Sequence, residues 1–170
     1  MATLGIKAAF ARYKATLTNV NWSVSAWAPD GSLVVSVWSH HSRKKPLHGT
    51  LEFEDRVNRW SGAGNTEFRR NIAKAFDTQA DVRLVIVRTE EVAAVQAGED
   101  ASTFKKDFFT REDVVGKVIE WDGNKYALRF IRQLKPHLQL PGAVKVVAAK
   151  SSMLKRLVFL FDSDPLVFAG

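Results

Sequence analysis

Two Asp-Gly turns, each beside a tryptophan and each set between alternating apolar and polar runs, most constrain the folds open to this chain. Trp27-Ala28-Pro29-Asp30-Gly31 lies between residues 22–27 and 33–40. Trp121-Asp122-Gly123-Asn124 lies between residues 114–121 and 125–132. Glycine accepts positive φ without steric cost and aspartate tolerates it, so Asp-Gly between alternating runs predicts a β-hairpin. The first hairpin then places Trp27 opposite Leu33 and Trp22 opposite Trp38. With Asp122 and Gly123 as the two turn residues, the second places Glu120 opposite Lys125, Ile119 opposite Tyr126 and Val115 opposite Phe130. Its core face reads as Val115, Ile119, Trp121, Tyr126, Leu128 and Phe130. Its other face carries Glu120, Lys125 and Arg129 around Val118 and Ala127.

Periodicity supplies the remaining elements. Ile6, Phe10, Tyr13 and Leu17 recur at helical spacing and predict a helix over 3–17. Phe68, Ile72, Ala75 and Phe76 predict another over 67–76, capped by Asn65 or Thr66, with Arg70 and Lys74 on its far side. Residues 82–89 read as a strand: Val82, Leu84 and Ile86 face one way, Val85 and Val87 the other. Apolar residues on both faces are the pattern of an interior strand covered from both sides. Residues 51–54 alternate apolar and acidic as a short strand would, and 90–97 read as a short helix ended by Gly98.

The expected fold is therefore α+β in a single domain. A curved, mainly antiparallel sheet is built from the two hairpins and the central strand, with two or three helices packed on it. Helices 3–17 and 67–76 are expected on one face. Residues 1–150 form this domain. The apolar segment 151–170 is expected to dock on it, or on a second copy in a homodimer, because apolar surface favours burial.

Composition narrows the function classes. A chain of 170 residues, 46% hydrophobic, is long enough for one proper core. It has no cysteine, which excludes disulfides and thiolate metal sites and fits a cytoplasmic protein. The start MATLGIKAAFARYK has no continuous apolar stretch of the export kind. The net charge is +7, unevenly spread: +5 over residues 1–46, −3 over 47–100 and +5 over 101–170. The basic excess thus falls on the segments that hold the hairpins and the tail, as expected of a nucleic-acid binder.

The expected function is nucleic-acid binding, to DNA or RNA, by a basic surface with exposed aromatics. Phosphate contacts are assigned to Arg43, Lys44, Lys45, Lys125, Arg129 and Arg132, and stacking to Trp27 and Trp121, which flank the turns. Two alternatives come from other classes: a metal-dependent nuclease or other phosphodiester-acting enzyme, and a homodimeric interaction subunit. For an enzyme the candidate catalytic residues are His40, His48, Glu52 and Asp113. His40, His41 and His48 fall within nine residues, but adjacent His40 and His41 at a strand end point to opposite faces. Arg43, Lys44 and Lys45 beside them repel a cation, and the Glu-x-Lys pattern of many nucleases is absent. Neither a metal site nor a cofactor is expected.

Overall fold

Strand β4 (Val82–Arg88) organises the molecule because both of its faces are apolar. Val82, Leu84 and Val85 are fully buried and Val87 nearly so, so something must cover each side. The structure is a computed structural model and describes residues 4–133, all within the unit Met1–Leu134. The boundary expected at 150/151 and the segment 151–170 lie outside the described residues.

The elements run α1 (Ile6–Ala11), β1 (Ser25–Trp27), β2 (Leu33–Trp38), β3 (Thr50–Arg56), α2 (Ala63–Thr78), β4, α3 (Val92–Ala97), β5 (Asp107–Thr110), β6 (Val114–Trp121) and β7 (Lys125–Arg132). Seven strands form one sheet in the order β1-β2-β4-β6-β7-β3, and β5 pairs with β4 as well. All pairings are antiparallel except β2 with β4. The α+β class and the single, mainly antiparallel sheet are as expected. No helix among the described residues is long and apolar enough to cross a membrane.

The helices lie on opposite faces, not on one. Helix α2 buries Phe68, Ile72 and Ala75 against Leu33, Val35, Val82, Leu84, Leu128 and Phe130. Phe10 and Ala9 of α1 join Val34, Val85, Val87 and Phe108 in a second cluster. Alternate residues of β2 and β4 feed the two clusters, so each face has its own core. The first helix is also shorter than its stripe implied. Lys14 adopts φ 58°, a left-handed conformation, and the Ala15 N–H turns back to the Phe10 carbonyl at 3.2 Å. That arrangement ends a helix. Tyr13 is nevertheless held inside: its hydroxyl donates to Leu84 O at 2.8 Å and accepts from Arg111 N–H at 3.0 Å. Helix α2 starts earlier than expected, at Ala63. Asn65 is no cap but is buried, donating to Val57 O and Trp60 O at 2.6 and 3.0 Å.

The first hairpin pairs Trp27 with Leu33 as expected. Trp22 and Trp38 do not pair, because β1 is only three residues long. Residues 19–23 fold into a turn instead, with Ser23 N–H on Asn19 O at 2.9 Å and Asn19 N–H on Ser23 Oγ at 3.0 Å.

In the second hairpin the turn is centred one residue later than expected. Asp122 Oδ1 accepts from the N–H groups of Asn124 and Lys125 at 2.8 and 2.6 Å, and Asp122 N–H closes on Lys125 O. The pairs are therefore Trp121 with Tyr126 and Glu120 with Ala127. A β-bulge at Ile119 then shifts the register again, to Val118 with Leu128 and Gly116 with Phe130. The bulge reverses the side-chain phase, so Val114 and Val118 join the cluster beneath α2, while Val115 is buried outside that cluster and Ile119 is half-buried.

Candidate functional site

The two basic segments do meet, but they meet on acids. In the β3–β7 pair Glu52 lies opposite Arg129 and Glu54 opposite Ala127. Phe53 and Leu51 of the same strand face α2, so Glu52 and Glu54 project from the other side of the sheet. The loop after β2 folds back there through an isolated bridge between Ser42 and Phe53. Arg43 reaches Glu52 Oε2 at 2.9 Å and Glu54 Oε2 at 2.7 Å, while Arg129 Nε donates to Glu52 Oε1 at 2.6 Å. Lys125 pairs with Glu120 at 3.0 Å, diagonally across the hairpin rather than directly opposite. Hydrogen bonds from Arg129 hold the Glu52 carboxyl below its ordinary range, opposed by burial and assisted by Arg43. Its side chain is 2% exposed, which makes it the buried anchor of the cluster.

Lys44, Lys45 and His48 lie on the same loop and are exposed. Among the described residues no carboxylate pairs with either lysine. Asp113 is elsewhere, in the turn between β5 and β6. Arg111 takes both of its oxygens at 2.7 and 2.9 Å and draws its carboxyl down to about 2, while Arg132 approaches to 3.3 Å. Glu52 and Asp113 are thus held by arginines, and His48 stands in the exposed loop. The enzyme candidates are not gathered into one centre. Among the described residues no three His, Asp or Glu side chains group as metal ligands.

Trp27 and Trp121 are packed against the core beneath α2. The Trp27 indole N–H donates to Asn71 Oδ1 at 3.0 Å, and Lys74 Nζ lies 4.6 Å from its ring centroid. Both are half-buried, and neither lines the cleft at the end of the sheet.

An open cleft of about 820 Å³ lies at one end of the sheet. It is bordered by the carboxyl ends of parallel β2 and β4 (Val37, Trp38, Val87) and by the start of α2 (Gly62, Ala63, Gly64). Ligands of α/β sheets commonly bind at the carboxyl ends of parallel strands. Trp22, 36% exposed, and Trp60 form aromatic walls. Two glycines let these walls close up. A Cβ on Gly64 would stand 2.2 Å from Trp22 O, and one on Gly98, already at φ +79°, 2.3 Å from Arg59 O.

His41 lines this cleft together with Asp55 and Arg59. The residues after β2 form a 3-10 turn, Ser39–His41, instead of continuing as a strand. The two imidazoles consequently lie on the same side, in edge contact at 4.4 Å, not on opposite faces, and His40 stacks on Trp38 at 5.9 Å. His41 Nδ1 stands 3.1 Å from Asp55 Oδ2, with side chains 8% and 9% exposed, but off the hydrogen-bonding direction. Asp55 Oδ1 is held by Arg59 Nε and Nη2 at 2.8 and 2.7 Å. Both ring nitrogens of His41, and His40 Nε2, are buried without a hydrogen-bond partner among the described residues. Burial pulls the His41 imidazole down to about 4 against the pull of Asp55, so it is neutral at pH 7. A buried imidazole short of a partner is an unusual feature in a folded protein.

Sequence reasoning grouped His41 with its neighbours and with the acids that follow, Asp55 included, but placed none of His41, Asp55 and Arg59 among the expected site residues. The only local signal was the crowding of histidines before the acidic run 52–55. Compared with protein-family models, with curated proteins and with solved structures, the chain matches none.

Proposed function

We propose that this protein binds single-stranded nucleic acid along the segment that leads from the cleft to the exposed lysines. One observation carries the reading. Within residues 38–45 the chain passes from the aromatic cleft wall at Trp38, through the imidazoles of His40 and His41, to Lys44 and Lys45, which are exposed and have no carboxylate partner among the described residues. Stacking surface beside free cations is the chemistry of a strand-binding groove, since every base offers a π-face and every nucleotide a phosphate. Arg43, Lys125 and Arg129 act indirectly here: their ion pairs with Glu52, Glu54 and Glu120 hold the lysine loop on the sheet. Arg132, 73% exposed at the end of β7, is a further phosphate contact.

Fluorescence anisotropy with labelled single- and double-stranded oligonucleotides over a salt series tests this. Replacing Lys44 and Lys45 by alanine removes two phosphate contacts. It is expected to flatten the slope of log K against log salt by roughly 0.7 per contact on single strands. Absence of binding by the wild type at low salt overturns the reading. Wild-type binding with an unchanged slope in the double variant removes the loop from the site.

A further inference from the structure

The cleft itself has a chemistry distinct from that of the lysine loop. Its charged lining is Asp55, Glu99 and Asp100 against Arg59 and Lys106. Arg59 is already occupied by Asp55, and Lys106 donates to the Ala101 carbonyl at 2.7 Å. A phosphate entering here meets more carboxylate than free cation, so the cleft is no anion site. Its walls are aromatic, and its buried polar shortfall is the imidazole of His41. Acceptors therefore outnumber free donors, while the apolar surface suits a flat ring.

We propose that the cleft takes one unstacked base of the bound strand, specifically an amino-bearing base such as cytosine or adenine. The proposal rests on the nucleic-acid reading above. The ring lies against Trp22 and Trp60, and its exocyclic N–H group donates to the His41 imidazole, which turns an unprotonated nitrogen toward it. Thymine and uracil carry a carbonyl where cytosine carries the amino group, so the same acceptor meets another acceptor. Phosphates on either side of the base stay outside, with Lys44 and Lys45. The neutral state of His41 at pH 7 suits this accepting role.

The test uses the full chain and short labelled thymidine strands in which one central nucleotide is thymidine, cytidine, adenosine or an abasic site. Cytidine or adenosine is expected to bind about tenfold tighter than thymidine, one hydrogen bond's worth, and the abasic strand no tighter than thymidine. His41→Phe is expected to erase that preference, so that the cytidine and adenosine strands bind no tighter than the thymidine strand does to the same variant. His41→Gln, which keeps an acceptor, is expected to retain part of it. If His41→Phe fails to fold by near-ultraviolet circular dichroism, Trp22→Ala serves in its place and should weaken binding of all base-bearing strands relative to the abasic one. Equal affinity for all four strands, with binding intact, overturns the base pocket and leaves the nucleic-acid reading standing. If no strand binds, that reading fails, and tryptophan fluorescence with free cytidine and uridine decides the cleft alone. Quenching by cytidine over uridine upholds it, and equal or absent quenching overturns it.

Discussion

Arg129 and Glu52 stand directly opposite each other in the β3–β7 ladder, and Arg129 Nε donates to Glu52 Oε1 at 2.6 Å. Arg43 takes the second oxygen from the loop above at 2.9 Å. One carboxylate therefore ties a sheet strand to the loop that carries Lys44 and Lys45. Charges that look available for phosphate in the sequence are spent on positioning their neighbours.

Glu52→Gln is expected to lower the unfolding midpoint, because two arginines lose the charge that holds them. The acid dependence has a defined sign. Arginine hydrogen bonds depress the carboxyls of Glu52 and Asp113 in the folded state, the latter to about 2. Their stabilisation is present above the unfolded carboxyl range, about 4, and is lost as pH falls through the folded values. Thermal scans from neutral to acid pH should show this loss. A Glu52→Gln midpoint equal to wild type at pH 7 would contradict the anchoring role.

Arg43→Ala and the Lys44/Lys45 double variant should behave differently. Arg43→Ala is expected to lower stability and disturb the loop. The double variant should leave the denaturation midpoint within the roughly 0.5 kcal/mol usual for surface changes. Paired denaturation and salt-titration curves check the distinction.

Gly116→Ala places a Cβ 2.4 Å from Phe130 Cδ1 and 2.6 Å from Arg129 O, in the paired heart of the β6–β7 hairpin. The carbonyl cannot move without breaking the ladder, so a loss of about 1–3 kcal/mol is expected. Gly5, with nothing within 4 Å of its added Cβ, is the matched control. Urea denaturation of the two variants measures the difference.

Asn71 joins helix to sheet: it accepts from Trp27 Nε1 and donates to Ser25 Oγ, both at 3.0 Å, and is 5% exposed. Asn71→Ala leaves buried Ser25 and half-buried Trp27 unmatched, for an expected cost of about 1–3 kcal/mol. A change below half that range would show that water replaces the amide.

His41 gives stability an opposite pairing of cause and window from a bridged histidine. Burial lowers its folded value to about 4, below the roughly 6.5 of an unfolded histidine. The unfolded chain then binds the extra proton first, so stability should fall as pH drops from about 6.5 toward 4. His41→Phe is expected to flatten that part of the profile. An unchanged slope between pH 7 and 5 would mean that the imidazole is not buried in the neutral form.

Much of the fold was written locally. The two-faced run of β4, the stripe Phe68-Ile72-Ala75 and the Trp27–Leu33 pair are periodicities of neighbouring residues, and backbone geometry leaves them little choice. The opposite placement of α1 and α2 was implicit in β4 as well, because a strand apolar on both sides demands two covers. Other features were decided only by tertiary structure. The bulge at Ile119 exists because a turn recentred on Gly123-Asn124 and a sheet anchored at Gly116–Phe130 cannot share one register. Arg43 was diverted from solvent because the loop after β2 closes onto β3, bringing it above acids that the sequence places several residues on. His41 left the surface because a 3-10 turn carried it to the end of the sheet, where Asp55 and Arg59 arrive from the following strand and turn. Local pattern sets which residues are strand, helix or turn; the partner a charged or titratable group finds depends on chain closure, and no sequence period encodes that.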